Sequence, residues 1–201
     1  MNTYVNQLTM EDIIDEVPMS KYPRPHLKRD SFMCLNGKWD DGCLVPFPIG
    51  SKNAGVDSEG LFEYTYKRKV TIEKDFIKDI ILLHFGAVDQ IAEVFIDGIL
   101  VGRHEGGYIP FEFDITDRVT PGVSFELTVK VKDELDHMYP YGKQKYNRGG
   151  MWYTPIMGIW QSVWIESVSK NYIKDIEITP YLDRISVNVI GEADEYKVNV
   201  S

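Results

Sequence analysis

From Glu59 to Ser169 the chain alternates apolar and polar residues in short blocks set apart by turn residues, and it shows almost no helical period. Phe62, Tyr64, Tyr66, Arg68, Val70 and Ile72 fall on one side of their block, with Glu63, Thr65, Lys67, Lys69 and Thr71 on the other. That pattern predicts a strand with one wet face. The run Asp79–Gly86 is apolar between its ends but for His84 and predicts a strand covered on both faces. Asp97-Gly98 supplies the positive φ of a two-residue type I′ turn, so residues 94–101 read as a tight hairpin. Phe111, Phe113 and Ile115 point inward from the next block, and Phe125, Leu127, Val129 and Val131 from the one after the Pro121-Gly122 turn. The last block, residues 159–168, sets Trp160, Ser162 and Trp164 on one face against Ile159, Gln161, Val163 and Ile165.

Three segments depart from this texture. Residues 1–30 are polar and close on Pro23-Arg24-Pro25, which predicts an extended surface arm; within it, residues 10–17 could form a helical turn or two. Residues 133–158 carry no period at all, and an aperiodic stretch of that length in a compact domain predicts a functional or ligand-lining loop. After Ser169 three short strand candidates follow without a closing partner, as at the opening of a second β-sandwich cut from a longer chain. Short strands at near-regular spacing make the chain all-β and antiparallel.

With 201 residues, 43% of them apolar and 26% charged, the composition is that of an ordinary globular protein. A net charge of −9 opposes phosphate backbones and anionic lipid, so neither nucleic acid nor membrane is expected as a partner. The first twenty residues hold acids where a signal peptide holds Lys or Arg, and no stretch nears the roughly 18 apolar residues of a spanning helix. A cytoplasmic location is the expectation. Cys34 and Cys43 form no CxxC pair; a disulfide is open to them in an oxidising compartment, but two free thiols is the favoured reading. No histidine shares a ligand-like spacing with them, so no metal site and no cofactor are expected.

Four stretches in one order carry a resemblance. Residues 24–40 (RPHLKRDSFMCLNGKWD), 45–51 (VPFPIGS), 82–116 (LLHFGAVDQIAEVFIDGILVGRHEGGYIPFEFDIT) and 149–166 (GGMWYTPIMGIWQSVWIE) resemble the N-terminal domain of family 2 glycoside hydrolases, the group of β-galactosidases, β-glucuronidases and β-mannosidases. The resemblance implies a jelly-roll, galactose-binding-like sandwich over residues 22–169, after an arm at 1–21. It also implies that residues 170–201 begin an immunoglobulin-like sandwich. In that family the catalytic glutamates stand on a TIM barrel that follows. Glycoside hydrolysis needs two carboxylates held across the scissile bond, and a barrel to hold them takes about 250 residues of alternating strand and helix. Nothing here alternates so; hydrolysis by this chain alone is not expected, and no residue is assigned as catalytic. One departure stands out: only DDGCL separates Trp39 from Val45, where relatives run a longer excursion. It leaves one sheet edge to be established.

The resemblance points the end of the aperiodic loop at the neighbouring barrel. Arg148, Asn147, Trp152, Tyr153 and Gln144 have the chemistry to contact a sugar: aromatic faces stack on C–H faces, while amides and a guanidinium bond hydroxyls. Some relatives place an acid near the position where Arg148 or Gly150 stands here. Met151, Trp152 and Tyr153 read also as interdomain packing, which is the favoured reading for Trp152, while sugar contact leads only at Arg148; Trp160 and Trp164 read as core or interdomain packing before carbohydrate platform. His104-Glu105 reads as a strand end before a turn at Gly106-Gly107. Asp89 reads as a turn stabiliser. Asp133, Glu134 and Asp136 suit a hard cation such as the structural Ca²⁺ of some jelly rolls, but read first as a solvated loop.

Three functions compete. The first is an ancillary domain of a β-glycosidase that buttresses the barrel and completes its active-site wall, with the immunoglobulin-like and barrel domains of the same chain and a β-glycoside as partners. A free-standing carbohydrate-binding module and a structural sandwich pair are the others. A homo-oligomer is compatible with all three.

Overall fold

The structure, a computed structural model, describes residues 17–57, 60–147, 149–191 and 193. The helical turn expected at residues 10–17 lies, but for Val17, outside the described residues, as does the last strand candidate at 194–201. The strands are β1 (Ser31–Cys34), β2 (Gly37–Lys38), β3 (Leu44–Val45), β4 (Glu63–Thr71), β5 (Ile80–Phe85), β6 (Val88–Asp89) and β7 (Ile91–Ile96). They continue with β8 (Ile99–Glu105), β9 (Phe111–Asp114), β10 (Ser124–Lys132), β11 (Gly158–Ile159), β12 (Val163–Val168), β13 (Ile173–Pro180) and β14 (Ile185–Gly191).

Eight of these strands form two antiparallel sheets, ordered β1-β12-β5-β9 and β4-β10-β7-β8. Counted in chain order, the eight run 1-8-3-6 and 2-7-4-5, so the first strand lies beside the last and the second beside the seventh. That nesting is the jelly roll. Period-two blocks became strands because each could turn one row of side chains away from water. Tyr66, Val70 and Ile72 of the β4 block, Leu127, Val129 and Val131 of β10, and Ala92, Val94 and Ile96 of β7 meet Ile81, Leu83, Phe85, Val163 and Ile165 of the other sheet. The β7–β8 hairpin turns at Asp97 (φ 47°) and Gly98 (φ 78°), as its sequence predicts.

The run over β5 is covered on both faces, and the second cover is the arm. Tyr22 to Arg29 lies across the outer face of the β1-β12-β5-β9 sheet, making a single 3-10 turn at Pro25–Leu27, and Leu27, His84, Trp164 and Glu166 are buried there. The described end of the expected surface arm, residues 22–29, thus packs on the sandwich. The last block also departs from its prediction: it breaks at residues 160–162, so β11 pairs with β6 while β12 joins the main sheet.

The short connection after Trp39 closes as a tight turn, with Trp39 N–H donating to Cys43 O (2.9 Å) and Gly42 N–H to Trp39 O (2.9 Å). Its two aspartates then cap the edge strand β4. Asp41 Oδ1 accepts from Lys67 N (3.1 Å), Asp40 Oδ2 accepts from Lys69 N (2.7 Å), and Tyr64 Oη donates to Asp41 Oδ2 (2.6 Å). These two outward amides, at the middle of β4, are thus withdrawn from edge pairing. Cys34 and Cys43 are free thiols, and burial, with the Asp41 charge second, pushes Cys43 up to about 12. Among the described residues no helix is long and apolar enough to cross a membrane.

Beyond the sandwich, β13 and β14 form a two-stranded hairpin. Ile178 pairs with Val187 and Pro180 with Ile185, and Ile178, Ile185 and Val187 are exposed.

Candidate functional site

The aperiodic loop leaves β10 at Asp133, whose N–H donates to Phe62 O (2.9 Å) and whose Oδ1 accepts from Leu135 N (3.0 Å). It returns through Met157, which exchanges backbone hydrogen bonds with Ile49 (2.9 and 3.2 Å), so the VPFPIGS stretch serves as its dock. Gly158 (φ 85°) completes the return. A Cβ there would collide with Tyr66 Oη, and that hydroxyl accepts from Ile159 N (3.1 Å). Positive φ and close approach together explain the glycine.

Between these anchors the loop is braced on itself. Gln144 bridges to Tyr153: Tyr153 N donates to Lys143 O (2.9 Å) and Lys145 N to Tyr153 O (3.2 Å). The Gln144 carbonyl accepts from Ile156 N (2.6 Å), so this side chain holds the loop's shape. Lys145 Nζ lies 5.1 Å from the centroid of the Trp152 ring, within cation–π range. The tip is bare: Tyr153 is 65% exposed, Trp152 41% and Met151 60%. Gln144, Trp152 and Tyr153 are therefore gathered on one projection, Asn147 is exposed in the same loop, and Arg148 lies outside the described residues.

Below the loop sits a buried acidic pair. Asp89 (6% exposed) is pushed up to about 7 by burial, with the Asp133 charge adding to it, and burial raises Asp133 in turn. The Asp89 carboxylate lies against Gly107 and leaves no room for a Cβ there. Gly107 O accepts from Trp160 Nε1 (2.7 Å), and the half-exposed Tyr108 meets the Trp160 ring edge-on at 6.0 Å. Trp160 is thus a strut under the turn. His104 stacks on Phe111 at 4.1 Å and Glu105 pairs with Arg103.

Asp133, Glu134 and Asp136 do not converge. Glu134 pairs with Lys132 (2.6 Å), while Asp136 Oδ1 accepts from Met138 N (2.9 Å). Among the described residues no group of three or more His, Cys, Asp or Glu is arranged to hold a metal ion.

One cluster went unread in the sequence. Glu166, fully buried on β12, accepts at Oε1 from Tyr22 Oη (2.5 Å), Arg24 Nη2 (2.8 Å) and Trp164 Nε1 (2.7 Å), and at Oε2 from Arg24 Nη2 (3.0 Å). His84 stacks on Trp164 (4.8 Å, 8°) with Nε2 3.5 Å from Glu166 and Nδ1 3.0 Å from Glu112. Burial raises Glu166, but His84, Tyr22 and Arg24 together favour its ionised form more strongly and hold it well below the usual carboxylate range. The available signal was a glutamate inside a largely apolar strand block.

Comparison with known proteins bears on the sandwich above all. Residues 32–165 match the family described as glycosyl hydrolases family 2, sugar binding domain. A beta-galactosidase of Thermoanaerobacter pseudethanolicus is 32% identical over 114 residues, which is 55% of this chain and 14% of that protein. The beta-glucuronidase of Homo sapiens is 24% identical over 173 residues, 74% of this chain and 27% of that protein. A solved beta-glucuronidase of an uncultured Clostridium sp. shares the fold, with a TM-score of 0.67 at 23% identity over 82% of this chain and 34% of its own. The matched part of this chain is a small share of each relative. With its jelly roll and that match over most of the sandwich, the chain belongs to glycosyl hydrolase family 2, and residues 32–165 are its sugar binding domain.

Proposed function

We propose that this chain is the non-catalytic N-terminal part of a β-glycosidase of the β-galactosidase or β-glucuronidase kind. In this reading the sandwich at residues 22–169 buttresses a catalytic barrel of the same polypeptide, residues 170–201 open an immunoglobulin-like domain, and the loop completes one wall of the sugar pocket. The observation that carries the reading is the loop itself, anchored at Asp133 and Met157 and bare at Trp152 and Tyr153. A loop that only covered its own sandwich would turn its aromatics inward, because burying such a side chain is worth about 1.5–3 kcal/mol. Trp152 and Tyr153 then supply stacking faces, Asn147 and Arg148 bond hydroxyls, and Gln144 shapes the projection. Two free thiols suit a cytoplasmic setting.

Isothermal titration of the 201-residue chain against galactose, glucuronic acid and mannose tests it. Binding no tighter than about 1 mM is expected, since one wall of a pocket gives few contacts. A dissociation constant in the micromolar range would replace this reading with a free-standing carbohydrate-binding module. Reading the coding sequence past Ser201 tests the rest, for a stop codon there would defeat the glycosidase assignment.

A further inference from the structure

The β13–β14 hairpin buries few of its described side chains. Its strands are mostly exposed on both faces, so apolar burial does not fix its angle. Four residues, 169–172, join it to β12, with Lys170 N donating to Asp79 Oδ2 (2.8 Å). A second tie comes from the arm: β13 runs beside the Pro25–Leu27 turn, and Arg29, just past that turn, reaches both bodies. Its Nε is 3.5 Å from Glu166 Oε2 while its Nη2 donates to the Ile173 carbonyl, and its guanidinium stands 5.7 Å from the Tyr172 ring centroid.

We propose that Arg29 and Glu166 form a latch that sets the orientation of the β13–β14 hairpin, and of whatever is built on it, relative to the sandwich. A guanidinium suits this task because it is planar and its donors diverge, so one edge faces a carboxylate while another reaches a carbonyl. Lysine, with one point charge, holds either but not both. Glu166 suits it because it is itself immobile: three donors grip Oε1, two of them from the arm that carries Arg29. Strap and anchor thus fix each other, and the hairpin hangs from the pair. The inference rests on the outer sheet face and not on the reading of the loop.

Residual dipolar couplings of backbone amides in the weakly aligned 201-residue chain test the latch. In the unsubstituted protein, sandwich and hairpin amides should fit one alignment tensor. In Arg29→Met the hairpin couplings should shrink about twofold or more through independent motion, while those of the sandwich keep their values. Arg29→Lys should give an intermediate loss. Glu166→Gln should loosen the hairpin as well, and Arg29→Met decides the matter if that variant fails to fold. A hairpin that keeps the shared tensor in folded Arg29→Met, or that fails to share it in the unsubstituted protein, overturns the proposal.

Discussion

Glu166 and Asp89 are both carboxylates withdrawn from water, one on the outer face of a sheet and one beneath the loop, and they respond to burial in opposite directions. Desolvating a carboxylate costs several kcal/mol. Glu166 offsets this with His84 beside it and with hydrogen bonds from Tyr22 and Arg24, each worth about 1.5–3 kcal/mol when one partner is charged, so the ionised form wins. Asp89 has a second acid nearby instead of a cation, and at about 7 it retains its proton far above the usual range for aspartate. The difference separates a region built to stay closed from one whose charge state is left adjustable. Perturbed acids of the second kind gather at functional sites more often than elsewhere.

The largest test of this contrast is Glu166→Gln. Removing one charge from a buried pair strands the other, and the expected loss is about 3–5 kcal/mol in urea denaturation near neutral pH. The pH dependence has a definite sign. Because the folded-state value is depressed, Glu166 contributes stability that is fully present above its unfolded value near 4.5 and is lost as pH falls through the folded one. The gap between the two proteins should therefore narrow only in acid. A gap of under about 1 kcal/mol at pH 7 would mean that the cluster is not closed.

Asp89→Asn should act in the other direction. The folded value is raised from 3.8 to about 7, so the folded state binds the proton more tightly than the unfolded chain does, and stability falls as pH rises between those values. At about 1.4 kcal/mol per pH unit, the substitution should stabilise the protein by roughly 2–4 kcal/mol at pH 8. It should change little at pH 3.5. Parallel stability-against-pH curves for the two proteins would show that Asp89 is ionised in the fold at neutral pH and thus no different from Glu166.

The same contrast explains how far the sequence could be read. Strands β4 and β10 and the β7–β8 hairpin were legible because one face of each is wet, which leaves alternation in the residue order. The loop was legible by its lack of any period. The arm's place was not, because what fixes it is the pairing of Tyr22 and Arg24 with a residue more than 140 positions away, and local pattern carries no sign of so distant a contact. For the same reason nothing in the residue order around Glu166, beyond its apolar neighbours, marks it for a role. The break at residues 160–162 was hidden because Trp160 and Ser162 keep the period while the backbone leaves the sheet. Of the candidate site, the sequence showed the residue types and their loop, but not that Gln144 is engaged with Ile156.

The smallest expected effect sharpens the comparison most at the loop tip. Trp152→Ala removes a ring that is 41% exposed and a cation–π contact with Lys145, together worth about 0.5–1 kcal/mol at an exposed site. Tyr153→Ala removes a ring that is 65% exposed, while the bonds that brace the loop there are made by the Tyr153 backbone, so the loss should stay within about 0.5 kcal/mol. Urea midpoints for both variants, beside that of Glu166→Gln, make the measurement. If the tip is held for a partner, its side chains can be cut away without loosening the fold, because nothing within the sandwich depends on them. A loss above about 2 kcal/mol for Tyr153→Ala would show that the ring packs on its own domain, since only a well-buried side chain destabilises so much on truncation, and the loop would then belong with Glu166 as a part of the closed structure.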